Sequence, residues 1–125
     1  MSLSITKRPV ILYDSSCPKQ SKFAKDVNLK IADLREIEVN ACPISERLLV
    51  GILEKMRVKP SSVLINEKSP WYRCFSDDFN EMNDVVLVRT LVDFPSLLKT
   101  PIVILDEQVF VDPKEEYLPV EELAY

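Results

Sequence analysis

The apolar residues of this chain fall first into short runs that predict β-strands. Val10–Tyr13 is a continuous apolar run, typical of a strand that is covered on both faces. Glu36–Val39 alternates polar and apolar residues, which predicts a strand with one wet face. Pro101–Leu105 and Gln108–Val111 are β-rich and separated by two residues, a spacing that predicts a hairpin.

Helical patterns lie between these runs. The segment from Pro18 to about Val27 predicts a helix, because proline is tolerated at the first helical position; Asn28 is the predicted end. Ser45 is a favourable N-cap for a helix from Glu46 to Met56, whose apolar residues recur at i, i+3 and i+4. Asn83 and Asp84 predict the start of a third long helix that runs to Asp93.

Three shorter segments complete the pattern. Lys59–Ile65 predicts a short helix, Pro70–Phe75 an aromatic-rich turn, and Leu118–Leu123 a closing helix that begins near Pro119. The predicted order is β-α-β-α-(α)-α-β-β-α, which is an α/β protein. With 125 residues, the chain 1–125 is expected to form one domain.

Composition removes several classes of function. The chain has no histidine, so it has no imidazole base or imidazole metal ligand, and its single glycine excludes phosphate-binding loops of the glycine-rich type. The net charge is −4 with dispersed basic residues, which argues against direct nucleic-acid binding. The apolar runs are too short to cross a membrane and the N-terminus lacks the apolar core of a signal peptide, so we expect a cytoplasmic protein.

This composition leaves open thiol chemistry, carboxylate or lysine chemistry, or no chemistry, and Cys17 is the candidate nucleophile. It stands where a buried strand passes into a helix N-terminus, and free N–H groups and the positive end of the helix dipole favour a thiolate there. Lys19 and Lys22 act in the same direction. The alternative is that Cys17 is a buried cysteine that only fills space. Cys42 and Cys74 have no motif; each is either a resolving thiol or a spectator.

Two segments resemble the arsenate reductase family, which includes the Spx-type regulators. Leu12–Cys17 is similar to that family's I-Y-x-x-x-C opening, and Asp93–Val103 is similar to its H-P-x-L-I-x-R-P-I-V signature. The resemblance covers roughly Val10 to Leu123. It implies a thioredoxin-like (glutaredoxin-like) fold, in which a mixed four-stranded sheet carries a helical insertion between about Ser45 and Asp93. It also implies a protein of bacterial type.

The resemblance also implies a site. Pro101 is expected to follow a cis peptide bond, and the backbone of Thr100 and Pro101 is expected to contact a bound thiol or glutathione. The family's three oxyanion-holding arginines correspond here to Ile65, Thr100 and Asp112, so arsenate reduction is not expected. The Spx-type C-x-x-C motif is replaced by Cys17-Pro18-Lys19-Gln20, which lacks the second cysteine.

These residues leave two hypotheses for the function. In the first, the protein is a monothiol redox protein in which Cys17 forms mixed disulfides with glutathione, as co-substrate, or with a protein thiol; no cofactor or metal is expected. In the second, the protein is a non-enzymatic member of the family that binds a protein partner through a decayed site. Neither hypothesis involves a membrane.

Overall fold

The computed structural model describes residues 8–41, 44–56, 64–105 and 108–113. Its strands are β1 (Val10–Tyr13), β2 (Arg35–Glu38), β3 (Ile102–Leu105) and β4 (Gln108–Val111). They form one sheet in the order β2-β1-β3-β4, with β1 and β2 parallel and the other two pairs antiparallel. This mixed four-stranded sheet confirms the fold class predicted from the sequence.

The two central strands are β1 and β3, and every residue in both is buried. Their continuous apolar sequences fit this position, because a central strand with helices on both faces has no wet side. The edge strands β2 and β4 keep part of their surface exposed and are more polar. The hydrophobic pattern therefore distinguishes the two central strands, which are wholly apolar, from the two more polar edge strands.

The helices are α1 (Pro18–Lys30), α2 (Glu46–Lys55), α3 (Tyr72–Phe75) and α4 (Asp84–Asp93), with short 3-10 turns at Phe79–Glu81 and Pro95–Leu97. Side-chain caps start two of them, as predicted. The Ser45 hydroxyl accepts from the N–H of Leu48, and the Asn83 side chain accepts from the N–H of Val86 at 2.9 Å. Both caps pair a helix-end N–H that has no partner within the helix.

Two predictions about helix boundaries were wrong. Asn28 does not end α1, which continues to Lys30; the Asn28 amide donates to Glu36 Oε2 on β2 at 2.9 Å. Leu64 and Ile65 are not helical, and Ile65 instead forms an isolated antiparallel bridge with Leu98. The remainder of that predicted helix, residues 59–63, and the predicted closing helix lie outside the described residues.

The sheet separates two apolar clusters, since alternate residues of a strand point to opposite faces. Ile11 and Tyr13 of β1 face α1, whereas Val10 and Leu12 face α2 and α4. The α1 side is small and is completed by Ala24, Val27, Ile31, Leu34, Val103 and Leu105. The opposite side is larger because it receives the helical insertion. Within the described residues, no helix is long and apolar enough to span a bilayer.

Candidate functional site

Cys17 is the N-cap residue of α1, at the end of the loop that leaves β1. Its backbone is extended, with φ −96° and ψ 113°, and Pro18 takes the first helical position. The Cys17 N–H donates to the Asp14 carbonyl oxygen at 3.1 Å, and the Cys17 carbonyl accepts from the Ser21 N–H at 3.0 Å. The side chain is half-buried and makes no capping hydrogen bond. The predicted placement of a thiol at a helix N-terminus is therefore confirmed.

Asp14 holds the loop in front of Cys17. Its Oδ1 accepts from the Ser16 N–H at 2.9 Å, from the Ser16 hydroxyl at 2.6 Å and from the Asn40 amide at 3.0 Å. The Asp14 N–H donates to Gln20 Oε1 on α1 at 2.8 Å. Bonds to a charged acceptor are stronger than neutral ones, so this carboxylate fixes the loop conformation that presents Cys17.

The Thr100–Pro101 peptide bond is cis, as predicted. The segment is tied on both sides: the Lys99 N–H donates to the Leu64 carbonyl at 2.6 Å, and the Asp112 N–H donates to the Pro101 carbonyl at 2.7 Å. Pro101 is buried and Thr100 is half-buried. These two hydrogen bonds connect the segment before β3 to the insertion and to the end of β4.

A cleft of about 610 Å³ is lined by both Cys17 and Thr100. Its lining residues come from the loops at the ends of the strands and from the insertion, namely Asp14, Cys17, Gln20, Val39, Asn40, Ile65, Asn66, Glu67, Lys68, Pro95, Ser96, Leu98, Lys99, Thr100 and Asp112. The three positions that the sequence matched to anion-binding arginines all lie in this lining. The fold thus brings Cys17 into one cleft with these three positions, although the four residues lie far apart in the sequence.

The charges of the cleft differ from those of an oxyanion site. Asp14, Glu67 and Asp112 supply carboxylates, while Lys68 and Lys99 supply ammonium groups, and no arginine is among the described lining residues. Asp112 has a left-handed backbone with φ 49°, a conformation that aspartate adopts more readily than most residues. No group of three or more potential metal ligands is found within the described ranges.

Of the other two cysteines, the structure describes one. Cys74 is exposed on α3 and is not one of the residues that form the cleft. Cys42 lies outside the described residues. The hypothesis that Cys74 resolves a Cys17 disulfide therefore gains no support from the geometry.

The aromatic segment of the insertion combines packing with exposure. The Trp71 ring lies 4.9 Å from that of Phe94, and Phe75 lies 5.2 Å from the same ring. Tyr72 stacks near Phe79 with ring centroids 6.0 Å apart. Trp71 remains 46% exposed, so it serves partly as a cover for Phe94 and partly as surface.

The sequence did not indicate the polar residues Asn66 and Ser96 of the cleft lining. The Asn66 amide donates to the Ser96 carbonyl at 3.2 Å, and the Ser69 and Ser96 hydroxyls lie 2.9 Å apart. These contacts join residues about 30 positions apart, so no local motif indicates them. The only local signal was the turn chemistry of Asn66–Pro70, in which the Asn66 carboxamide oxygen accepts from the Lys68 N–H at 3.1 Å.

The sheet order, the cis proline and the cysteine at the start of α1 define a thioredoxin-like α/β protein with a thiol in the lining of a cleft. Residues 13–118 match the ArsC family. The chain therefore belongs to the ArsC family, and the predicted resemblance is confirmed.

Solved structures show the same fold at low sequence identity. An arsenate reductase from Vibrio cholerae is 20% identical, with 93% of this chain and 94% of that chain covered and a TM-score of 0.69. An arsenate reductase (ArsC) related protein from Brucella melitensis is 16% identical, with coverages of 89% and 91% and a TM-score of 0.62. SACOL0876 from Staphylococcus aureus COL is 18% identical, with coverages of 86% and 92% and a TM-score of 0.65. No curated protein matches the chain in sequence.

Proposed function

We propose that this protein is a monothiol redox protein in which Cys17 exchanges with disulfides. The Cys17 thiolate attacks one sulfur of a disulfide of glutathione or of a protein. A new S–S bond forms to Cys17, the original S–S bond breaks, and the departing thiolate takes up a proton. A second thiol, such as glutathione, then reduces the mixed disulfide and regenerates Cys17. The proposal includes a cytoplasmic location, where glutathione keeps thiols reduced.

The observation that carries the proposal is that Cys17 and the residue before the cis proline share one cleft. Within the described part of the chain, no hydrogen bond occupies the backbone N–H or carbonyl of Thr100. These groups are consequently available to an extended segment that brings its sulfur toward Cys17, as a strand is added at a sheet edge. An unpaired backbone group in the same cleft as a half-buried thiol favours a peptide-like partner over a small inorganic ion.

Arsenate reduction is not part of the proposal. A tetrahedral dianion needs donors with positive charge, and arginine supplies them in a planar fork. The corresponding positions hold the buried Ile65, the half-buried Thr100 and the carboxylate of Asp112. An apolar side chain gives no donor, and a carboxylate repels the anion.

The test is mixed-disulfide formation in a protein that retains only Cys17. Cys42→Ser and Cys74→Ser are combined, the protein is mixed with oxidised glutathione, and intact mass spectrometry follows the addition of one glutathione. We expect stoichiometric addition to the folded protein and none after Cys17→Ser. A Cys17 that reacts with neither glutathione disulfide nor iodoacetamide until the protein is unfolded would contradict the proposal.

A second candidate function is that of a binding module without turnover. It is favoured by the replacement of all three arginine positions and by the half-exposed Trp71 of the insertion, other residues of which line the cleft. The same experiment separates the two candidates, because a binding module does not require a reactive Cys17.

A further inference from the structure

We propose that the Cys17 cleft selects disulfides flanked by positive charge, as on a basic protein segment, and disfavours disulfides flanked by carboxylates. Asp14 and Asp112 are the specificity-determining residues. The inference rests on the proposed function, since it names the class of disulfide that Cys17 would attack. It narrows the preferred disulfide to a cationic one, so glutathione disulfide, which is net anionic, should react with Cys17 more slowly than a basic partner does.

A backbone hydrogen bond next to the cis proline fixes the position of Asp112 in the cleft lining. Its N–H donates to the carbonyl of Pro101 at 2.7 Å, directly after the cis bond at Thr100. The side chain is exposed and lines the cleft that contains Cys17. Because an aspartate side chain is short, the carboxylate remains near this anchored backbone and meets any group that approaches Thr100.

Asp14 supplies a second fixed negative charge, three residues before Cys17. Within the described residues, the Asp14 side chain accepts three hydrogen bonds, all at Oδ1. Two of the donors are the N–H and hydroxyl of Ser16, and the third is the amide of Asn40. These donors are neutral, so they restrict the position of the carboxylate without placing a positive charge beside it.

The two lysines of the cleft do not reverse this field. Lys68 and Lys99 are both exposed, and their charges are balanced in number by any two of the three lining carboxylates, which leaves a net charge of −1. A lysine has a flexible four-carbon stem and can turn its ammonium group into solvent. The anchored aspartates have no comparable freedom, so a bound partner experiences them more consistently.

The experiment compares three small symmetrical disulfides that differ in charge: cystamine (cationic), 2-hydroxyethyl disulfide (neutral) and 3,3′-dithiodipropionate (anionic). Second-order rate constants are measured with the protein that retains only Cys17 at low ionic strength. The same constants for N-acetylcysteine amide, a neutral thiol, correct for the intrinsic reactivity of each disulfide. We expect the corrected rate to fall in the order cystamine, hydroxyethyl disulfide, dithiodipropionate.

Variants assign the preference to the two aspartates. Asp112→Asn removes the charge while asparagine still tolerates the left-handed backbone, and Asp14→Asn keeps an oxygen that can accept the same hydrogen bonds. Each should lower the corrected rate constant for cystamine about threefold and raise that for dithiodipropionate about threefold, the order expected for one unit charge acting across about 6 Å of water, so their ratio should fall about tenfold. Asp77→Asn, an exposed aspartate outside the cleft lining, is the matched control and should leave the ratio unchanged. Raising the salt concentration to about 0.5 M should reduce the wild-type preference through screening.

The outcomes separate this inference from the proposed function. Equal corrected rates, or a preference for the dicarboxylate, would overturn the charge selection while leaving the thiol chemistry intact. A preference that survives both variants would also overturn it, because the aspartates would not be its cause. No reaction with any of the disulfides would overturn the proposed function and, with it, this inference.

Discussion

The centre of the sheet and the cleft at the ends of its strands differ in the kinds of residues that form them. Every residue of β1 and β3 is apolar and buried, whereas the cleft mixes carboxylates, lysines, amides and apolar side chains. The chain keeps the fold of the ArsC family, yet three cleft positions carry residues unlike the arginines that the resemblance implies there. Packing and chemistry are therefore separable in this molecule, since the cleft side chains project from loops and strand ends that the core already fixes.

The largest expected effect is a loss of stability when a buried core residue is truncated. Leu91 of α4 is fully buried against the larger cluster. Leu91→Ala should lower the free energy of unfolding by about 2–5 kcal/mol, because it removes buried methyl groups and leaves a cavity. Urea denaturation measures this change. Val85→Ala on the same helix, at a position 71% exposed, is the control and should change it by less than about 0.5 kcal/mol. Similar losses at both positions would remove the distinction between core and surface on α4.

A smaller loss is expected at a helix end. Asn83 accepts the N–H of Val86 and starts α4, none of whose residues lines the Cys17 cleft. Asn83→Ala should lower the free energy of unfolding by about 0.5–2 kcal/mol by leaving that N–H without its partner. Asn83→Asp retains the acceptor and should lose little. If stability is preserved in Asn83→Ala but the Cys17 reaction changes, the scaffold and the cleft are coupled after all.

A pH-dependent effect is expected at Tyr13, the last residue of β1 and thus the boundary between the two regions. Burial, then the hydrogen bond from its hydroxyl to Glu38 Oε1 at 3.2 Å and the charges of Glu38 and Glu36, raises the pKa of Tyr13 above its usual 10.0. A raised pKa favours the protonated phenol in the folded state. Its contribution to stability is complete below pH about 10 and is lost as the pH rises through the folded pKa.

Urea denaturation between about pH 9 and 11 tests this. The wild type should lose stability with rising pH more steeply than Tyr13→Phe, which has no proton to release. Glu38→Gln keeps an acceptor but removes a charge, so its slope should fall between the two. Identical slopes for wild type and Tyr13→Phe would show that Tyr13 does not titrate in this range.

The last prediction is that one substitution leaves arsenate reductase activity undetectable. Thr100→Arg restores one positive charge to the cleft but leaves Ile65 and Asp112 unchanged. Neither this variant nor the wild type should turn over arsenate in the presence of glutathione and glutaredoxin. Cys17→Ser is the control for any background signal. Turnover by either protein that depends on Cys17 would contradict the proposal that this cleft has lost its oxyanion site.

The sequence predicted those parts of the structure that depend on neighbouring residues. The strand Val10–Tyr13, the Ser45 and Asn83 caps and the cis bond before Pro101 follow from local chemistry or from a family motif. The end of α1 was misplaced because Asn28 bonds to Glu36 on a strand, which overrides its tendency to end a helix.

The parts that were missed depend on contacts across the chain. Ile65 pairs with Leu98 rather than continuing a helix, and Asn66 and Ser96 meet only because the insertion folds back on the 3-10 turn. The gathering of Ile65, Thr100 and Asp112 around Cys17 came from the family resemblance and not from spacing. The local sequence pattern predicts individual helices and strands. It does not predict which distant segments come together to line a cleft.

The composition of β2 has a consequence for self-association. This strand is only four residues long, lies at one edge of the sheet and carries the charged residues Arg35, Glu36 and Glu38. An open strand edge is a template for pairing with another molecule, and charged side chains on a short edge make such pairing unfavourable. β2 thus protects this side of the protein from edge-to-edge aggregation at the high concentrations that exist in a cell.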